Sequence, residues 1–203
     1  MKMTSLPALA VTGLLMGAVG CGGTSDSGAL DTWSAELEGV YRIDAWTRNE
    51  AACTEGPSVL KDGGDYMVLV HVTDPLGASI EAMECADPAA CSALVTQLRA
   101  SRVTSSSAFI YDFRTADASG VTGVLVTTGY SGGGDGTCPN AMLTNIALNR
   151  PADGQVQIES RSVVVDHPAH ADGSCWTDDT VSAAAGKPCN QLEEMEATRI
   201  ETL

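Results

Sequence analysis

The sequence predicts a mainly β fold: an antiparallel up-and-down barrel, or a sandwich, of about eight strands with one short α-helix. Three observations carry that expectation. Seven or eight stretches read as strands, most of them alternating apolar and polar residues with a period of two, the mark of half-buried strands. Only one segment combines a helix start signal with helical spacing. The stretches are separated by turn residues and lack the alternating strand–helix units of a parallel sheet.

The chain opens with Lys2, an apolar run over 6–19 and small residues up to Cys21. That order of charge, apolar run and small residues is the anatomy of a secretory signal peptide. Ser5, Pro7, Thr12, Gly13, Gly17 and Gly20 dilute the run below what a spanning helix requires. Ala18-Val19-Gly20-Cys21 resembles the lipobox of bacterial lipoprotein signals, with Ala18 where that family has leucine. The resemblance implies removal of residues 1–20, acylation of Cys21 and an exported domain anchored to the cell envelope membrane by lipid. Gly22 follows the cysteine in place of the aspartate of inner-membrane retention, which favours the outer membrane. Residues 21–30 then read as a lipid-anchored flexible tether, and 31–203 as a single disulfide-bonded β-domain.

After a lead-in containing Trp33, residues 39–47 place Tyr41, Ile43 and Ala45 on one face and Arg42 and Asp44 on the other. This is the first strand. Gly39-Val40-Tyr41 resembles the G-x-W of lipocalins with tyrosine for tryptophan, and that resemblance favours the barrel over the sandwich. A loop over 49–64 precedes the almost uniformly apolar stretch 66–73, expected to be a central strand. Asp74-Pro75-Leu76-Gly77 is a turn, and 78–85 is the next strand, although its Glu and Ala content also suits a helix. Asp87-Pro88 is an N-cap acid followed by proline at the first helical position. Cys91, Leu94, Val95 and Leu98 follow on one helical face. The period then returns to two at 109–113 and 121–130, and a glycine-rich loop runs over 131–139. Stretches 142–148 and 156–162 form a hairpin. Residues 166–190 read as a long loop, and 192–203 as a closing strand.

Six cysteines remain besides Cys21. An even number in an exported chain implies disulfides, and six allow fifteen pairings. Cys85 and Cys91 flank the Asp87 turn and are expected to pair locally. If the first and last strands are antiparallel neighbours, Cys53 after one meets Cys189 before the other. Cys138 and Cys175, which flank the open end of the 141–165 hairpin, complete the set. An open sandwich would instead pair Cys175 with Cys189.

The formal net charge of −15 disfavours phosphate backbones, so no nucleic acid is expected as a partner. Gly129-Tyr130-Ser131-Gly132-Gly133 has the form of a hydrolase nucleophile elbow, with Asp166 and His167 later in the chain. The glycines after Ser131 cannot start the helix that motif requires. His167, His170 and Asp172, with Asp178 and Asp179 nearby, are weak metal candidates on one proline-broken loop. His71 in an apolar strand reads as a hydrogen-bonded core histidine. No C-x-x-C or P-loop is present, and no cofactor is expected.

The leading expectation is a non-catalytic envelope lipoprotein whose β-domain binds a small ligand or a partner protein. The alternative is a hydrolase using Ser131 or a metal held by the 166–179 loop; a purely structural envelope component is a third reading. A cavity with convergent polar groups favours ligand binding. A filled core under a flat apolar patch favours a protein partner. Mass spectrometry of the mature protein is expected to find acylated Cys21 at its N-terminus, with Cys21→Ser releasing the domain from membranes. A retained Met1 or an unmodified Cys21 would contradict the lipobox.

Overall fold

The computed structural model describes residues 27–49, 53, 59–60, 66–74, 77–101, 109–129 and 136–203. Cys21, the expected signal peptide and most of the expected tether lie outside them. The element order is α1 (Ser27–Leu37), β1 (Gly39–Asn49), β2 (Val59–Leu60), β3 (Tyr66–Asp74), β4 (Gly77–Cys85), α2 (Pro88–Ser101), β5 (Phe109–Phe113), β6 (Thr115–Ala116), β7 (Val121–Thr127), β8 (Thr137–Asn149), β9 (Gln155–Pro168), α3 (Thr177–Ala184) and β10 (Gln191–Glu201).

Nine antiparallel strands form a nearly closed, barrel-shaped sheet in the order β5-β4-β3-β1-β10-β9-β8-β7-β6, and β2 adds a short pairing to β1. Sequence neighbours are therefore neighbours in space, with the first and last long strands joined side by side. β5 and β6 are one run interrupted at Arg114: β5 pairs with β4, while β6 pairs with β7. The run thus crosses the remaining seam, where the Arg114 N–H donates to the Thr122 carbonyl over 2.9 Å. Gly123 permits the approach, because a Cβ there would run into the Asp112 carbonyl oxygen.

Inward positions at one end pack as a continuous core that includes Leu69, Ile80, Phe113, Leu148, Ile158 and Met195. α1 closes that end, burying Leu30 and Leu37 in the same core with Trp33 packed against it. Full burial of each leucine contributes about 1.5–3 kcal/mol. Polar contacts fix the helix: Trp33 Nε1 donates to the Asp117 carbonyl over 2.8 Å, and Arg150 lies 2.9 Å from Glu36. Tyr41 Oη donates to the Leu37 carbonyl over 2.7 Å, and burial pushes that hydroxyl's pKa up to about 12. The lead-in around Trp33 is therefore helical, and α1 takes in residues 27–30, expected to be tether. Leu30, Trp33, Ser34 and Leu37 fall at i, i+3, i+4, i+7, so the helical spacing is present in the sequence.

The uniform apolarity of β3 has a direct cause. Met67 and Leu69 face the barrel core, while Val68 and Val70 are buried outside it beneath α2. α2 contributes Cys91, Val95 and Leu98 to that outer cluster, with Leu94 packed against it. Its start follows the sequence signal, since the Ala90 N–H donates to Asp87 Oδ1 over 2.8 Å. In β1 the alternation slips. Ile43 pairs with Ala197 but Ala45 with Glu196, so Asp44 bulges out and Trp46 turns inward after Ile43. Ala45 consequently leaves the Tyr41–Ile43 face expected for it. His71 is also not a core residue: its side chain is 27% exposed, with Nε2 3.6 Å from Asp31 of α1. The expected loop 166–190 contains the end of β9 and the helix α3, whose Ala184 joins Ala141, Val163 and Val165 in a small outer cluster.

Three disulfides join Cys53–Cys189, Cys85–Cys91 and Cys138–Cys175, with Cα separations of 5.6, 5.2 and 5.8 Å. All lie at the end of the barrel opposite α1. Gly123→Ala is expected to force the seam apart and to cost about 1–3 kcal/mol in urea denaturation. An unchanged midpoint would contradict the close β5–β7 contact.

Candidate functional site

Inward positions change character halfway along the barrel. In β9 the series runs Val156, Ile158, Ser160, Ser162, and in β10 it runs Ala197, Met195, Glu193, Gln191 from the α1 end outward. The two apolar pairs belong to the core, whereas the four polar residues line a cavity of about 210 Å³ at the disulfide end. Arg48, Glu84, Tyr111 and Thr144 also line it, and Trp46, Leu125 and Met142 supply its apolar wall. At about 30 Å³ per water in the liquid, this is room for on the order of seven waters.

The floor of this cup is made by a hydrogen-bonded network across the lumen. Tyr111 projects from β5, and β9 and β10 stand on the far wall. Its hydroxyl lies 2.8 Å from Glu193 Oε2 and 3.3 Å from Ser160 Oγ. Burial, and then the neighbouring Glu193 carboxylate, raise the Tyr111 pKa, so the phenol stays protonated and donates. Glu193 and Arg48 are direct cross-strand partners in β10 and β1. Arg48 Nε donates to Glu193 Oε1 over 2.6 Å and Nη2 approaches the same oxygen. The carboxylate side chain is 8% exposed and the guanidinium 31%, so the pair lies at the boundary between core and solvent. Thr144 Oγ1 and Ser162 Oγ complete the wall, 2.8 Å apart.

Among the described residues of the cup, no serine or threonine hydroxyl is bonded to a carboxylate or a histidine. A hydroxyl-lined pocket with one internal ion pair offers hydrogen bonds in both directions and an apolar surface, which is what a binding site requires. Of its polar residues, Glu84, Tyr111, Thr144, Ser160, Ser162 and Glu193 fall in stretches the sequence reads as strands, whereas Arg48 and Gln191 lie just outside them. The signal that marks them as a cup is the run of small hydroxyl residues at successive inward positions, Ser160 and Ser162 after Val156 and Ile158.

The residues singled out for chemistry go elsewhere. Ser131 lies outside the described residues. Asp166 Oδ1 accepts the Asn140 N–H over 2.9 Å. His167 is buried against α3, with Nδ1 3.0 Å from the Pro168 carbonyl and Nε2 3.1 Å from Thr180 Oγ1. A carbonyl only accepts, so Nδ1 carries the proton, while Nε2 faces the Thr180 hydroxyl, which also lies 3.4 Å from the Trp176 carbonyl. His170 Nε2 lies 2.6 Å from Asp179 Oδ2, and its ring stacks on Trp176 at 4.0 Å. Asp172 accepts the Ser174 hydroxyl and N–H at 2.6 and 2.9 Å, bonds that hold its carboxyl below the usual range. His167, His170 and Asp172 are thus each committed to a different neighbour, and among the described residues no three potential ligands converge on a metal position.

The fold and cavity define a class, a disulfide-bonded β-barrel with a polar cup at one end. Comparison with protein-family models, with curated proteins and with solved structures finds no match for this chain.

Truncating Arg48 tests the network. Arg48→Met is expected to cost about 2–3 kcal/mol, at or below the lower end for breaking a buried pair because the guanidinium is partly hydrated. The double variant Arg48→Met, Glu193→Gln should recover most of that loss, because the amide still accepts the Tyr111 hydroxyl. Additive losses in denaturant melts would show that the two side chains are energetically independent.

Proposed function

We propose that this protein is an exported, lipid-anchored envelope protein whose barrel carries a small ligand in its open half. The observation that carries the reading is the division of the barrel interior, packed around Phe113 and Leu148 and forming a polar cavity beyond Tyr111. A barrel serving only as a scaffold has no need of a buried ion pair and a hydroxyl-lined wall, whose desolvation is costly unless every member is satisfied. Three disulfides agree with an oxidising compartment. No described helix is long and apolar enough to cross a membrane, so anchorage in this reading rests on Cys21.

The tether gives the reading a geometry. Six residue steps separate Cys21 from the start of α1 at Ser27, which spans at most about 20 Å of extended chain. α1 closes the packed end, so an acylated Cys21 would hold that end toward the bilayer and turn the cup toward the aqueous phase. Ligand would then exchange with solution instead of lateral transfer from lipid.

Filling the cup tests the proposal. Thr144→Leu with Ser162→Leu removes both partners of one hydrogen bond and occupies the space with methyl groups, so the fold should tolerate it. A thermal-shift screen of small polar compounds against the full chain is expected to yield stabilisers that lose their effect in this variant. A ligand at one hundred times its Kd stabilises by about 2.7 kcal/mol. Stabilisers acting equally on both proteins would place binding outside the cup.

A further inference from the structure

Among the described residues three charged side chains line the cup, and they are not equivalent. Arg48 and Glu193 neutralise each other, and the second oxygen of Glu193 takes the Tyr111 hydroxyl. Glu84 projects from β4 in the same inward register as Ile80 and Ala82, at the level of the mouth. Among the described residues its carboxylate has no hydrogen-bond or ion-pair partner. Among the described residues the cup therefore presents one uncompensated negative charge, lining the same cavity as Trp46, Leu125 and Met142.

We propose, resting on the reading of the cup as a ligand site, that its ligand is a small organic cation: a protonated amine on a compact apolar body, its ammonium against Glu84. Three features agree on that class. The ammonium supplies both the charge and the donors that Glu84 lacks. The aromatic wall favours a cation beyond its apolar area, since the ring faces of Trp46 and Tyr111 are negative. The field of the whole molecule acts the same way, because a net charge of −15 raises the local concentration of cations and repels anions. An anionic ligand would meet the opposite conditions. It would compete with Glu193 for Arg48 and weaken the counter-charge of a carboxylate whose side chain is only 8% exposed. A cavity of about 210 Å³ limits the body to roughly one ring with a short side chain.

Calorimetric titration of the full chain with three matched probes tests the assignment. Phenethylamine, phenethyl alcohol and hydrocinnamate share a phenyl ring and a two-carbon spacer and differ in the terminal group. The amine is expected to bind at least about tenfold tighter than the alcohol, a difference of about 1.4 kcal/mol, and the carboxylate not to bind. Raising the ionic strength should narrow that gap. Glu84→Gln should bring the amine down to the level of the alcohol, and Glu84→Lys should invert the order to favour hydrocinnamate. Circular dichroism and unchanged melting would establish that both variants fold. Alcohol or carboxylate binding as tightly as the amine overturns the cation assignment, as does an amine preference that survives Glu84→Gln. If none of the three binds, the assignment also fails. The wider ligand-binding reading then stands or falls separately, on whether other compounds distinguish the wild-type cup from the leucine-filled one.

Discussion

The antiparallel pairing of β1 with β10 is the contact on which the rest of the molecule depends. It joins segments at opposite ends of the described chain, from Val40 opposite Glu201 to Asn49 opposite Leu192. Without it the sheet would have two long edge strands, and its inward face would be open to water along both. With it, the inward residues of all the long strands share one interior. The pairing also places Arg48 directly across from Glu193, so the strand register that closes the barrel creates the ion pair of the cup. The Cys53–Cys189 bridge lies beside the outer end of the same pair. Linking residues 136 apart in sequence, it removes loop-closure entropy from the unfolded chain; in the entropy model so long a loop is worth about 5 kcal/mol.

The two ends of the barrel are stabilised by different means, and the difference follows from what each contains. At the α1 end, large apolar side chains fill the lumen and a helix covers it, so hydrophobic burial holds the strands together. At the other end the lumen is polar and cannot contribute that way. All three disulfides are found there, tying β1 to β10, β4 to α2, and β8 to the segment before α3. Covalent links hold the mouth in place at little cost in apolar area. In the proposed ligand-binding reading, a mouth fixed beforehand spares a ligand the entropy of ordering it. Tyr111 separates the two regimes by reaching from one wall to the other.

Much of this architecture was legible in the sequence. The period-two stretches appear as strands, the uniform apolarity of 66–73 marks a strand covered on both faces, and Asp87-Pro88 begins α2. Antiparallel closure of first strand on last pointed to Cys53–Cys189, the Asp87 turn to Cys85–Cys91 and the hairpin flanked by the remaining two to Cys138–Cys175, the pairings found. What escaped did so for physical reasons. α1 has helical spacing, but its small and polar residues, Ser27, Gly28 and Thr32, resemble a tether. α3 buries only Thr180 and Ala184 and has no side-chain cap, so its pattern is too weak to stand out among prolines and glycines. The Asp44 bulge cannot be read from alternation, because one extra residue inverts every position beyond it. The cup escaped because alternation marks a strand's inward face but not whether the interior there is filled: Ser160 and Ser162 share the inward face of β9 with Val156 and Ile158.

The central claim is that closing this barrel leaves half its interior packed and half available to a ligand. A crystal structure of the unliganded domain, at a resolution that defines ordered water, tests it most directly. On the order of seven waters are expected beyond the Tyr111 ring, hydrogen-bonded to Ser160, Ser162, Gln191 and Glu84, and none among Phe113, Leu148 and Ile158. Side chains of Trp46, Leu125 and Met142 collapsed onto one another, with the space above Tyr111 filled and dry, would contradict it.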